Sequence, residues 1–436
     1  MYFCGSKYNK NILYYIIMKL NFILLAMATV VCATFAQQRN VNQDESKVPA
    51  FVLPEVLLSA SGEKITTSEQ WEKTRRPELL HLFSTLVYGE PLTASSNINV
   101  RYETLHENPN ALNGKAICKQ VKIILSNNRL AREIYLLMYL PKTPKENIPV
   151  FLSYNFNGNH TVQPDPAIII SPSIAKISSK DQNPERGGQS SRWNVEMITD
   201  EGFAVITVCY HDVFPDRKDL IDESILPLYD DYAAKKGSAH TGQAIGAWAK
   251  GYSIVMDYIA SDKTFDAKRV ALMGHSRQGK AALWTGALDT RFAIVISNNS
   301  GCGGAALSKR RFGETVDLIT TSFPHWFCPA FTGFAGKEED LPIDQHELIA
   351  LIAPRPVYIA SAEEDLWADP KGEFLGGVHA GPVYHLYGLK GLETTTTPPV
   401  NSPVMNHIGY HIRSGVHDVT DYDWKRYIEF AKKHLF

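Results

Sequence analysis

The residues best able to do chemistry in this chain are a serine at 276, a run of acids at 363–369 and late histidines at 407, 411 and 417. A serine hydroxyl is a weak nucleophile until an imidazole takes its proton and a carboxylate orients that imidazole. Val270-Ala271-Leu272-Met273-Gly274-His275-Ser276-Arg277-Gln278-Gly279-Lys280 carries an apolar run into a glycine, a serine and then a small-residue helix. A serine at such a strand-to-helix bend exposes its hydroxyl above a helix N-terminus, where amide donors face a developing oxyanion. The usual glycine two residues after the serine is replaced by Gln278, and Gly279 follows one place later. A helix N-cap serine after a core strand is the plain alternative for this stretch taken alone.

The base is expected late, on a loop. His417 lies in Ser414-Gly415-Val416-His417-Asp418, directly before a closing helix, whereas His411 falls inside the strand-like Ile408–Arg413. Loop placement favours His417. The acid is expected at a strand tip between serine and histidine; Asp365 is the choice, with Glu364 and Asp369 as alternatives. The tip before it, Ser297-Asn298-Asn299-Ser300-Gly301, holds no acid. An asparagine there orients an imidazole but does not balance imidazolium charge.

These residues need a scaffold, and the pattern supplies one. Alternating runs at 99–106, 115–126 and 131–140 predict early antiparallel strands. Apolar runs at 148–154, 203–208, 270–273, 292–297 and 356–361 then alternate with helical spacing at 245–259 and a closing amphipathic helix at 423–436. Near-continuous apolar strands between helices predict a mainly parallel sheet covered on both faces. The expected fold is therefore an α/β-hydrolase, a three-layer sandwich, with residues 51–436 as a single catalytic domain.

The start of the chain differs in kind. Met18-Lys19-Leu20-Asn21 leads into an apolar run to Val31 and small residues before Gln37, the pattern of a secretory signal peptide. Residues 1–36 are read as an upstream extension plus signal peptide starting at Met18, and 37–50 as a disordered linker. Export to the periplasm or medium follows, with no membrane span after cleavage. Residues 1–36 contain three lysines and no acid, so the formal charge of -2 becomes about -5. No basic stripe is present, which argues against nucleic acid. Four cysteines remain beyond residue 36, with Cys302 and Cys328 the nearest pair for a disulfide and free thiols equally open. Their spacing does not point to a metal site.

Several separated motifs carry a resemblance to the glucuronoyl esterases, carbohydrate esterase family 15, above all the bacterial branch. They are Gly274–Lys280, Ser300-Gly301-Cys302-Gly303-Gly304, Arg310–Glu314, Phe323-Pro324-His325-Trp326-Phe327, Leu86–Pro91 and Asp365–Pro370. The resemblance implies a serine esterase needing no metal or cofactor. It would cleave the ester between 4-O-methyl-glucuronic acid of glucuronoxylan and lignin alcohols, and alkyl glucuronates; a monomer is expected because nothing in the sequence suggests an obligate interface. It further implies Ser276 as nucleophile, His417 as base, Arg277 at the oxyanion, and Lys280, Glu314, Trp367 and His325 at the substrate. Many members carry glutamate where this chain has Asn299, so Asp365 must supply the acid or activity falls. An acetyl-xylan or other carboxylesterase, and a carbohydrate binder without catalysis, are the alternatives.

Overall fold

The computed structural model describes residues 41–93, 97–143, 145–177 and 184–436. The expected signal peptide, residues 1–36, lies outside the described residues. Asn42–Phe436 form one compact unit. Part of the stretch read as linker is held rather than loose. Glu45 pairs with Arg310 Nη2 at 2.6 Å and with Lys371 Nζ at 2.8 Å, and Gly313 N–H donates to the Asn42 carbonyl at 2.7 Å. The polar composition of 41–50 hid these specific ion pairs.

Ten strands form one sheet: β1 Asn99–Ala111, β2 Ala116–Ser126, β3 Ala131–Pro141, β4 Ile148–Asn155, β5 Ala204–Cys209, β6 Phe265–His275, β7 Ile294–Asn298, β8 Val357–Ala362, β9 Val404–Met405 and β10 Ile408–Arg413. Their order is β1-β2-β3-β5-β4-β6-β7-β8-β10-β9. The segment from β5 to β10 is parallel throughout, and β1–β3 and β9 extend it by antiparallel pairing. The expected α/β-hydrolase sandwich is the observed fold.

Every residue of β4, β5, β7 and β8 is buried. Side chains alternate between two cores, as the two-residue period of a strand requires. Val150 and Leu152 of β4 join one apolar cluster, and Phe151 joins the other. Six helices matter here: α1 Arg76–Phe83, α2 Ala244–Ser261, α3 Arg277–Leu288, α4 Gln345–Ala350, α5 Pro370–His385 and α6 Asp421–Leu435. The core holding Val150 also takes Trp248 of α2, Trp284 of α3 and Phe374 of α5; that holding Phe151 takes Trp424 and Tyr427 of α6.

Helix α5 was not evident from pattern, because it contains four glycines and Pro382. Packing explains the glycines. A Cβ at Gly376 would come within 2.3 Å of the Ala305 carbonyl oxygen, so only glycine lets the helix lie this close. Asp369 caps the helix by accepting from Gly372 N–H at 2.9 Å, with Pro370 in its first turn.

Candidate active site

Strand β6 ends at His275 and α3 begins at Arg277, which leaves Ser276 alone to turn the chain. It does so at φ 56°, ψ -129°, a conformation costly for a side chain with a Cβ and stored here by the surrounding bonds. Ser276 N–H donates to the Asn298 carbonyl at 2.8 Å, and its own carbonyl accepts from Gly279 N–H at 2.8 Å. The two glycines flanking the turn are there for space. A Cβ at Gly274 would lie 2.0 Å from the Gln278 carbonyl oxygen, and one at Gly279 would lie 2.8 Å from Ser300 Cβ. The displaced glycine of the motif thus still faces the neighbouring strand tip.

Ser276 is partly exposed and lines a cleft of ≈ 330 Å³ together with Arg277, Lys280, Asn299, Glu314, Phe323, Trp326, Asp365, Trp367 and His417. His417 follows β10, with its side chain 38% exposed, and its Nδ1 lies 2.5 Å from Asp365 Oδ2. Asp365 follows β8 and is buried. An ionised carboxylate only accepts, so His417 carries a proton on Nδ1, directed at Asp365. Burial pushes the Asp365 carboxyl up, but the hydrogen bonds from His417 and Asn299 outweigh it and hold it below the usual aspartate range. Asn299 Nδ2 donates to the same Oδ2 at 2.8 Å. The Asn299 amide therefore supports the Asp365 carboxylate of the neighbouring tip.

Of the other residues considered from sequence, His411 and Asp369 are engaged elsewhere. His411 is fully buried, with Nε2 2.9 Å from Asp423 Oδ1 and Nδ1 2.9 Å from the Tyr358 hydroxyl. Asp369 binds Arg310 through both carboxylate oxygens, at 2.8 and 3.2 Å, and Glu364 is exposed. Neither lines the cleft. His275 is a neighbour that sequence reasoning passed over. Its ring centroid lies 4.6 Å from that of His417, and Nδ1 lies 2.5 Å from Asn298 Oδ1. Burial, then the charge of His417, push the His275 imidazole well below its ordinary value, so it stays neutral.

The substrate-facing residues divide. Trp367 is 42% exposed and lines the cleft, as do Lys280 and Glu314. Lys280 Nζ donates to the Ser300 and Cys302 carbonyls, both at 2.6 Å, and to Glu314 Oε2 at 3.3 Å. Glu314 N–H in turn donates to the Trp367 carbonyl at 2.9 Å. Arg277 pairs with Asp216 and lies over the Trp326 ring at 4.6 Å. His325, expected at the substrate, is not among the residues lining the cleft. It is buried and its Nε2 lies 2.7 Å from Asp216 Oδ1. Asp216 escaped notice in the sequence, although it closes the polar tip that follows β5. Cys302 and Cys328 are buried free thiols rather than a disulfide. Among the described residues, no group of three or more His, Cys, Asp or Glu is placed to hold a metal ion, and no helix is long and apolar enough to cross a membrane.

A sequence model of fungal glucuronyl esterases matches residues 187–388. A carbohydrate esterase of an unknown prokaryotic organism is 46% identical over 411 residues, 92% of this chain and 94% of the relative. The chain belongs to carbohydrate esterase family 15, the glucuronoyl esterases. Solved structures agree. A promiscuous family 15 esterase from a marine bacterial metagenome superposes with a TM-score of 0.83 at 44% identity, covering 91% of this chain and 100% of that one. The glucuronoyl esterase of Solibacter usitatus gives 0.83 at 42%, covering 90% and 100%. The family 15 chain described here is a carboxylic ester hydrolase acting on glucuronate esters of the lignocellulose type.

Proposed function

We propose that Ser276, His417 and Asp365 are the catalytic triad, and that the ester cleaved joins 4-O-methyl-glucuronic acid of glucuronoxylan to a lignin alcohol. The observation that carries this reading is the His417–Asp365 hydrogen bond of 2.5 Å in the cleft that Ser276 also lines. Ser276 Oγ attacks the C6 carbonyl carbon of the uronate while His417 Nε2 takes its proton. Arg277 and the amides at the start of α3 stabilise the tetrahedral oxyanion. His417 then gives its proton to the departing alcohol oxygen, leaving the uronoyl group on Ser276. Water, deprotonated by His417, attacks that acyl group, and collapse returns the proton to Ser276 and frees glucuronate.

Trp367 offers an indole face to the C–H edge of a pyranose, and Glu314, held by Lys280, offers a carboxylate oxygen to sugar hydroxyls at the cleft wall. The leader pattern of residues 18–36 supports export. The test is hydrolysis of methyl 4-O-methyl-glucuronate by the intact chain and by Ser276→Ala. Turnover should fall to background in the variant; retained turnover would remove Ser276 from the mechanism. One observation favours a wider range, namely the description of the 44%-identical neighbour as promiscuous. Comparing kcat/KM on methyl glucuronate with that on acetylated xylose and nitrophenyl acetate measures that range directly.

A further inference from the structure

We infer that Asp216 is a positioning residue for the reaction: its carboxylate fixes the Arg277 guanidinium over Trp326 so that the remaining donors of Arg277 face the oxyanion. This rests on the reading of Arg277 as an oxyanion donor. Asp216 follows β5, away from Arg277 in sequence, and its carboxylate gathers four side-chain donors. Oδ2 accepts from Arg277 Nη1 and from the Tyr210 hydroxyl at 3.0 Å; Oδ1 accepts from His325 Nε2 and Trp326 Nε1, each at 2.7 Å. Two oxygens offer about four lone-pair sites, so the acceptor capacity is filled.

Each donor adds a constraint. His325 must carry its proton on Nε2, and its buried Nδ1 has no partner. Trp326 is gripped at its indole nitrogen and stacks on Phe323 with centroids 3.8 Å apart and planes 4° from parallel. The ring that supports Arg277 is therefore tied to the same carboxylate that binds Arg277. Burial pushes the Asp216 carboxyl up, but His325, Arg277 and Trp326 together hold it far below the usual aspartate range, so it is ionised at any working pH. An arginine left to itself samples several rotatable bonds; here one end of its fork is anchored and its flat face is covered. Arg277 Nε is buried with no protein partner.

Asp216 also lowers the net charge that Arg277 brings to an oxyanion, so positioning and neutralisation oppose one another. Orientation dominates here, since a misplacement of about 1 Å costs about 10²-fold. The test is a double-mutant cycle on methyl glucuronate with Asp216→Asn and Arg277→Gln, with melting curves to check folding. Arg277→Gln should lower kcat about 10²-fold. Asp216→Asn should lower kcat about 10- to 100-fold with little change in KM. Added to Arg277→Gln, it should cost nothing further. Near-normal kcat in Arg277→Gln would sink the oxyanion reading itself. A normal or raised kcat in Asp216→Asn, or losses that multiply in the double variant, would overturn the role of Asp216 alone. Should Asp216→Asn not fold, Asp216→Glu carries the same cycle, and its displaced carboxylate must cost kcat only when Arg277 is present.

Discussion

The tips of β7 and β8 stand side by side under His417 and carry opposite chemistry. After β7 the chain places Asn299, an amide at φ 46°; after β8 it places Asp365, a buried carboxylate. The two tips are neighbouring seats in the cleft that His417 also lines. The carboxylate occupies the second, and the first donates to it at 2.8 Å. The two tips thus form one unit around a single negative charge, held on Asp365. What the imidazole meets at Nδ1 is a carboxylate acceptor, and in this chain the β8 tip provides it.

The sharpest way to break the comparison is to empty the occupied seat. Asp365→Asn keeps the shape but removes the charge, and should lower kcat on methyl glucuronate about 10⁴-fold, as loss of the acid does in other serine triads. A loss under tenfold, with a normal melting curve, would mean that another group orients His417. The next largest effect comes from moving the charge. Asp365→Asn combined with Asn299→Glu should recover about 10- to 100-fold of that loss, below full activity, since a left-handed backbone at 299 costs a residue other than asparagine or glycine about 1 kcal/mol. No recovery would show that the β7 seat is closed to a carboxylate in this chain.

Removing only the support is gentler. Asn299→Ala takes one charge-assisted hydrogen bond from Asp365, worth about 1.5–3 kcal/mol, while His417 keeps the other. Asp365 is held low in the native protein by both donors. Losing one must raise its folded value, so the acid limb of the kcat/KM profile should move to higher pH, with about tenfold lower kcat at the optimum. An unshifted acid limb would assign that limb to a different group.

Most of this arrangement was legible before the fold was known, for physical reasons that differ from residue to residue. Strands β4, β5, β7 and β8 are buried on both faces, so their apolar runs stand out. The turn at Ser276 and the loop at His417 stood out because a strand–glycine–serine–helix bend and a glycine-flanked loop before a closing helix are local patterns. His411 and His417 were separable by the same logic, strand interior against loop. Asp216 and His325 were not legible as a pair. They meet across 109 positions of chain, and a carboxylate satisfied by four side chains leaves no local pattern. Helix α5 was hidden because its glycines serve close packing rather than helix propensity.

That helix also supplies the strut between the two tips, and it offers the test with the least effect on activity. Glu373 accepts from Ser300 N–H at 2.6 Å and Gly301 N–H at 3.1 Å beyond β7, and from Ser361 Oγ at 2.6 Å on β8. Burial pushes its carboxyl from 4.5 up to about 8. The folded protein therefore prefers the neutral acid, while an unfolded chain ionises above about 4.5. Stability from this group is complete at low pH and declines as pH rises to about 8, by about 1.4 kcal/mol per unit. Glu373→Gln keeps the shape and an acceptor without the titration. Asp212, Asp344 and Glu347 are also raised, to about 6, 6 and 7, so only the difference between the two proteins isolates Glu373. The variant should gain stability relative to the parent between pH 5 and 8, read as a widening gap in melting temperature, while kcat at pH 7 changes less than about threefold. A gap that is flat across that range would mean that the strut between the tips is ionised in the folded protein, and that the pair of tips carries two buried negative charges rather than one.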